Sequence, residues 1–293
     1  MNSGFKDKWY VKFISFILIA FAFYFLYLSA SKSYEQLKEF SFSDVNYLFL
    51  LLSIPFFISA VTYSGFAWLK LFKINYDLKN TVFMYMYIWG FKYIPGQIGT
   101  SLGKIEWGII QGIDKKKTLA KILEEHIYIA LSSVLLSVPL VFMLKDYVEF
   151  SPTLISTFFI AIILGSVLLY VGNRKFNIIK YFKDKNLGMH LFNFSVSRML
   201  NGIGLIFVYL AIAKDVEISI LYIPSIFILS SLIGLLSFFV PGGLGVREAS
   251  MIFLLNYLVM PLESILIASF SRIMNIISDL ITWLIGLIKY KKQ

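Results

Sequence analysis

Six apolar runs, each long enough to cross about 30 Å of hydrocarbon, constrain the fold of this chain more than any other feature. Hydrophobic residues make up 58% of its 293 positions, which is typical of polytopic membrane proteins rather than soluble domains. The runs lie at 13–30, 47–69, 122–144, 153–172, 190–213 and 264–288. We therefore expect an all-α membrane protein with about six full spans.

Two further apolar stretches, 80–111 and 219–260, are each interrupted by a Pro–Gly turn. Proline breaks a helix, and glycine permits tight turns. The first half of the earlier stretch, Asn80 to Ile94, has about 15 residues, which is short for a full span. We predict two re-entrant helical hairpins, with new half-helices beginning inside the membrane at roughly 98–111 and 244–258.

The loop charges predict the orientation. If each hairpin returns to the side it entered from, 18 basic loop residues lie on one side and four on the other. This bias places both termini in the cytoplasm, in a cell (inner or plasma) membrane, and it explains the net charge of +10 without a nucleic-acid partner. A full span at 219–240 is the alternative, and it would place the C-terminus outside.

The single membrane domain contains the same order of elements twice: two spans, a hairpin and a third span. The repeats are predicted at about 1–150 and 151–293. Three spans precede the second copy, so it enters from the opposite side, giving an inverted-topology repeat like those of many transporters. Pro95 precedes His126 by 31 residues, and Pro241 precedes Arg272 by 31 residues.

Five basic residues remain inside the apolar stretches once the loops are assigned. They include three of the four arginines in the chain, and they are Lys92, Lys104, Arg198, Arg247 and Arg272. Arginine keeps its charge in a low dielectric and binds phosphate oxygens with a planar fork. The half-helix N-termini add unpaired N–H groups and the positive end of a dipole. The pattern predicts an anion site near the bilayer midplane.

The predicted substrate-binding set joins these charges to the turn glycines and to polar neighbours. It comprises Arg247, Glu248, Arg272, Lys104, Gly96, Gly99, Gly242, Gly243, Gly245, Glu125, His126 and Arg198. Glycines let the backbone approach a ligand closely, and a carboxylate beside an imidazole can carry protons.

A structural interpretation of these residues stays open. The hairpins can serve as structural plugs, with Arg247 paired to Glu248 or Glu263. Asp279 lies seven residues after Arg272 on the same helical face, which favours a structural ion pair between them over a coupling-ion site.

The residue content limits the chemistry. The chain has no cysteine and only two histidines, which excludes thiol catalysis and Cys-based metal sites. It contains no P-loop and no D-x-D acidic pair. We expect no catalytic residue, no metal and no cofactor.

Two motifs, "YIPGQIGTSLGK" at 93–104 and "VPGGLGVREA" at 240–249, make the chain similar to a known family. It resembles the transmembrane region of lysylphosphatidylglycerol synthases, flippase-like proteins that stand alone or are fused to an aminoacyl-transfer domain. The resemblance covers nearly the whole chain and implies movement of a polar-headed lipid across the bilayer. The motif is matched by Pro241, Gly242, Gly243, Gly245, Arg247 and Glu248, and more loosely by Arg272.

The chain departs from the family at two places. Relatives often carry an arginine after an acidic residue where this chain has Ser101 to Lys104, and an arginine where it has His126. Without the fused domain, lysyl transfer is not expected.

The expected function is flippase- or scramblase-like transport of an anionic or phosphate-bearing lipid headgroup. The lipid is a phospholipid, an aminoacylated lipid or a polyprenyl-linked glycolipid. Three alternatives stay open: a membrane transferase acting on a polyprenyl-phosphate sugar, a transporter of small soluble anions, and a non-catalytic partner of cell-envelope biosynthesis enzymes.

Overall fold

The computed structural model describes residues 42–72, 77–93, 98–144, 186–213, 220–237, 243 and 245–290. These residues are helical and contain no strand, so the all-α prediction is confirmed for them. Several predicted features lie outside the described residues: the spans 13–30 and 153–172, and Pro95, Gly96, Pro241 and Gly242 of the two turns.

Nine α-helices follow one another in the described part of the chain. They are α1 Tyr47–Lys70, α2 Leu78–Trp89, α3 Ile98–Ile110, α4 Lys115–Leu136, α5 Val138–Leu144, α6 Leu187–Ile212, α7 Tyr222–Leu236, α8 Val246–Leu255 and α9 Pro261–Lys289. Short 3-10 turns, Phe42–Asp44 and Gly90–Tyr93, precede α1 and extend α2.

Four helical segments among the described residues are long and apolar enough to cross a membrane, as the spans of membrane proteins are. They are α1, α6, α9 and the segment Lys115–Leu140, which continues α4. Each coincides with a predicted span, although α4 begins at Lys115 rather than at 122. The earlier start has a local cause, because the Asp114 side chain caps the helix by accepting the N–H of Lys116 at 3.4 Å.

Both interrupted stretches form two short helices, and the second of each pair begins at Ile98 or Val246, close to the predicted positions. The backbone before α8 needs glycine, because Gly243 and Gly245 have φ values of 65° and 80°. A Cβ on Gly243 would also lie 2.9 Å from the carbonyl oxygen of Gly234 in α7. The two glycines therefore allow α8 to start beside α7.

Two apolar clusters lie at opposite ends of the spans. The N-side cluster surrounds the start of α1, and its most buried members include Leu50, Leu205, Tyr209, Ile223, Leu255 and Ile267. The C-side cluster surrounds the end of α1 and includes Trp68, Leu71, Phe72, Met84, Tyr85 and Phe194. Between the clusters, the middle turns of the spans carry many polar side chains.

α1 and α6 run antiparallel and form the most extensive helix contact in the described residues. The hydroxyl oxygens of Ser64 and Ser197 lie 2.6 Å apart, and Ser197 also donates to the carbonyl of Ala60 at 3.0 Å. Further along, Gly204 lies against the ring of Phe57. Small residues let the two backbones approach closely, as in other membrane helix pairs.

A close crossing of α2 and α9 predicts a stability defect. A Cβ on Gly286 would lie 2.3 Å from the backbone nitrogen of Tyr87, so Gly286→Ala forces the helices apart. We expect it to lower the thermal unfolding temperature in detergent, at a cost of about 1–3 kcal/mol. The matched control is Gly188→Ala, whose added Cβ meets nothing within 4 Å. Equal unfolding temperatures for the two variants would contradict this crossing.

Candidate functional site

A cavity of about 180 Å³ lies between the two apolar clusters, at the middle turns of the four spans. The spans contribute Val61 from α1, Glu125 and His126 from α4, Arg198 from α6, and Arg272 and Asp279 from α9. The short helices and the turn after α2 contribute Lys92, Lys104, Ser231 and Arg247. The volume is enough for several water molecules, at roughly 30 Å³ each.

The two lysines of the cavity are held by carboxylates. Lys104 is 5% exposed, and its Nζ donates to both oxygens of Glu125, at 2.7 and 2.5 Å. The hydroxyl of Tyr85 donates to the same carboxylate at 2.7 Å. Lys92 Nζ lies 2.6 Å from Asp279 Oδ2. Each lysine is therefore largely neutralised within the protein.

Trp89 completes the second of these pairs. Its indole N–H donates to Asp279 Oδ1 at 2.7 Å, and Lys92 Nζ lies 4.6 Å from the centre of a Trp89 ring. Asp279 thus receives a neutral and a charged donor from the α2 side, so its charge is well compensated.

The arginines retain more binding capacity than the lysines. Arg272 approaches Glu248 with one terminal nitrogen, and its Nη1 lies 3.4 Å from Glu248 Oε1. Its Nε and other terminal nitrogen are buried and find no acceptor among the described residues, and neither does Nε of Arg198. Leaving a buried donor unsatisfied costs about 1–3 kcal/mol, so these N–H groups are suited to donate hydrogen bonds to oxygen atoms of a ligand.

Arg247 lies in the first turn of α8, as predicted. Its guanidinium carbon is 4.5 Å from the centre of the Phe227 ring of α7. Glu248 accepts the backbone N–H of Gly245 at 2.7 Å, which fixes the start of α8, and its other oxygen faces Arg272 of α9. Glu248 therefore ties α8 to α9 beside the cavity.

The structure brings half of the predicted site residues into one cavity: Lys104, Glu125, His126, Arg198, Arg247 and Arg272. Glu248 lies behind Arg272 rather than in the lining, Gly99 is buried at the second position of α3, and Gly243 and Gly245 form the turn before α8. Gly96 and Gly242 lie outside the described residues.

The ring of His126 has one nitrogen engaged. Nδ1 lies 2.7 Å from the carbonyl oxygen of Ile122, one helical turn earlier. A carbonyl only accepts, so the proton of neutral His126 sits on Nδ1 and leaves Nε2 as an acceptor.

One predicted pairing is wrong. Asp279 pairs with Lys92 and not with Arg272, whose carboxylate partner is Glu248. The antiparallel crossing of α2 and α9 explains the difference, because it carries the end of α2 to Asp279. Lys92 stood out in the sequence as an intramembrane charge but was not assigned to the site.

Sequence reasoning missed the polar neighbours of the charges. Tyr85, Trp89 and Asn275 also line the cavity. A signal for Asn275 was present, since it lies three residues after Arg272 and four before Asp279, on one face of a helix.

The described residues contain no group of three or more His, Cys, Asp or Glu side chains that could hold a metal ion. The absence of a metal or cofactor from the whole protein stays a prediction.

Comparison of the chain with protein-family models gives no match, and comparison with curated proteins gives none. The resemblance to the lysylphosphatidylglycerol synthase region therefore stays a prediction.

The pair of Lys104 and Glu125 generates a testable stability pattern. Glu125→Gln leaves the buried lysine without its charge partner, at a cost of about 3–5 kcal/mol. We expect a large fall in thermal unfolding temperature in detergent, and substantial recovery when Lys104→Met is added. Lys70→Met, at an exposed lysine, serves as the control. If the decreases in unfolding temperature of the two single variants add in the double variant, the two residues do not interact.

Proposed function

We propose that this protein is a flippase- or scramblase-like transporter that moves an anionic, phosphate-bearing lipid headgroup through the cavity. The observation that carries the proposal is the gathering of five cationic side chains around one cavity at the middle turns of the spans. Charge at this depth is costly, and where proteins keep it there, it marks substrate and ion pathways. Moving a charged headgroup into hydrocarbon has the same kind of free-energy cost. A cavity lined by cationic side chains lowers that cost.

The contacts of α3 support a re-entrant hairpin made of α2 and α3. Trp107, near the end of α3, meets Trp68, near the end of α1, with ring centroids 5.0 Å apart. α2 begins shortly after α1 ends, so α2 starts on the side where α1 ends. The contact of Trp107 with Trp68 places the end of α3 on that side too. Ile223 at the start of α7 and Leu255 at the end of α8 likewise share the N-side cluster. We propose two hairpins that enter from opposite sides and meet at the cavity.

Matched positions of the two halves support an inverted repeat. Pro95 and Pro241 are separated by 146 residues. The same separation relates four pairs of cavity-lining residues: Tyr85 and Ser231, Trp89 and Leu235, His126 and Arg272, and Ile129 and Asn275. Inverted repeats place the substrate site at the midplane, where the two halves meet.

The lysines at the end of α1 support a cytoplasmic C-terminus. Lys70 and Lys79 flank the junction of α1 and α2, and three consecutive lysines, 115 to 117, begin α4 on that side. α9 ends there too, because Tyr290 stacks on Tyr87 of α2 with centroids 6.0 Å apart. The positive-inside rule assigns this side to the cytoplasm of a cell membrane.

In the proposed mechanism, the headgroup exchanges its water shell for the arginine N–H groups while its acyl chains stay in lipid. The paired lysines keep the rest of the cavity lining close to neutral, so the headgroup can bind and still dissociate. The chain has no P-loop, which favours downhill, ion-coupled or partner-driven movement over ATP hydrolysis by this chain itself.

A reconstituted liposome assay tests the proposal. Dithionite bleaches fluorescent anionic lipid in the outer leaflet, so continued bleaching reports lipid that has crossed. We expect wild type to accelerate crossing, and Arg198→Gln and Arg272→Gln each to slow it about tenfold or more, since a charged hydrogen bond contributes about 1.5–3 kcal/mol. The matched control is Lys289→Gln, which removes an exposed charge at the end of α9.

The proposal is contradicted if no lipid class, polyprenyl-linked sugars included, crosses faster than in empty liposomes. Dependence on Mg²⁺ or Mn²⁺ with sugar transfer would then favour the transferase, and uptake of a soluble anion would favour a small-solute transporter.

A further inference from the structure

Three polar side chains of the cavity share one arrangement. Asn201 of α6 and Asn275 of α9 each donate an amide N–H to the carbonyl oxygen four residues earlier, at 3.3 and 2.8 Å. The Nδ1 of His126 in α4 lies 2.7 Å from the carbonyl oxygen of Ile122, also four residues earlier. All three side chains line the cavity. Three spans thus hold a polar side chain at the cavity by a bond within their own helix.

These bonds determine which atom each side chain leaves for a ligand. A main-chain carbonyl oxygen only accepts, so the N–H of each side chain points toward it. The second polar atom is then an acceptor: Oδ1 of Asn201, Oδ1 of Asn275 and Nε2 of neutral His126. None of these three atoms accepts a hydrogen bond from the described residues. The cavity therefore presents three acceptors that need a donor.

Donors for an anionic group lie in the same cavity. Nε of Arg198 and two nitrogens of Arg272 are buried without an acceptor among the described residues. Ser231 of α7 adds a buried hydroxyl, also without a partner there, which both donates and accepts. The oxygens of an ionised phosphate only accept, so a phosphate matches the arginines but not the three acceptors. The remainder of the headgroup has to supply hydrogen-bond donors.

We infer that the cavity recognises a headgroup that carries hydroxyl groups beside its phosphate, and that it disfavours a headgroup of equal charge without them. The hydroxyls donate to the asparagine and histidine acceptors while the phosphate oxygens accept from the arginines. An ammonium group also donates hydrogen bonds, but beside Arg198 and Arg272 it would be repelled. The substrate class is therefore a polyol phosphate or sugar phosphate. The inference deepens the proposed transport function and rests on it.

Two soluble probes of equal charge measure the preference directly. The full chain, in nanodiscs of phosphatidylcholine, is titrated with glycerol 3-phosphate and with propyl phosphate, and binding is followed by calorimetry. Both probes are phosphate monoesters of a three-carbon chain, and they differ only in two hydroxyls. We expect glycerol 3-phosphate to bind about tenfold more tightly, since each hydrogen bond contributes a few-fold in affinity.

Variants separate the acceptors from the arginines. Asn201→Leu and Asn275→Leu each remove one acceptor at similar volume, so the preference should fall to about threefold while propyl phosphate keeps its affinity. Unchanged binding of propyl phosphate also shows that the cavity is intact. Arg272→Gln should weaken both probes by similar factors and leave their ratio unchanged. The matched control is Asn80→Leu in the first turn of α2, outside the cavity lining, which should alter neither affinity.

Equal affinities of the wild-type protein for the two probes, absence of binding included, would overturn the inference. So would a preference that both asparagine variants leave unchanged, or tighter binding of phosphoethanolamine than of glycerol 3-phosphate.

Liposomes separate failure of this inference from failure of transport. Phosphatidylglycerol and phosphatidylpropanol, both labelled on an acyl chain, carry the same single charge and differ in the same two hydroxyls. We expect phosphatidylglycerol to cross faster. If both lipids cross equally fast, transport stands and the inference falls. If neither lipid crosses but the soluble probes keep their ratio, the cavity is a site for soluble polyol phosphates, and transport falls.

Discussion

A charged side chain at the middle of a membrane span has to be paired, hydrated or met by a ligand, because hydrocarbon offers it no partner. In this protein two solutions lie side by side. Lys104 and Lys92 are neutralised by Glu125 and Asp279, with hydrogen bonds from aromatic side chains. Arg272 is only loosely engaged. We interpret the lysine pairs as the stable wall of the site and the arginines as its binding groups.

The fold places these charges together by interrupting two helical stretches. Gly243 and Gly245 adopt positive φ, which allows α8 to begin beside α7 and to present Arg247 in its first turn. In the other interrupted stretch, the close approach of Gly286 to Tyr87 brings α9 against the end of α2. The N-side and C-side clusters pack the two ends of the spans with apolar side chains. The polar cavity therefore lies where the proposed halves of the repeat meet.

Local sequence patterns predicted much of this arrangement but not its pairing. The Pro–Gly motifs and the scarcity of arginine pointed to the breaks and to Arg247, Arg272 and Arg198. Asp279 was paired with the wrong cation, because its partner is decided by how α2 crosses α9, and spacing along one helix does not contain that information. The start of α4 was missed because lysines 115 to 117 resemble a loop, although Asp114 caps them into a helix.

A water-filled, anion-attracting cavity at the membrane midplane is the central claim, and the absence of cysteine from the chain makes it directly testable. The measurement compares Asn275→Cys, which lines the cavity, with Ile276→Cys, at the adjacent position, which is 44% exposed and does not line the cavity. In membranes, we predict that an impermeant sulfonate-bearing thiol reagent modifies Asn275→Cys about tenfold faster than a trimethylammonium analogue does, and that neither reagent modifies Ile276→Cys. Equal modification at the two positions, or no modification at Asn275→Cys, would contradict the account.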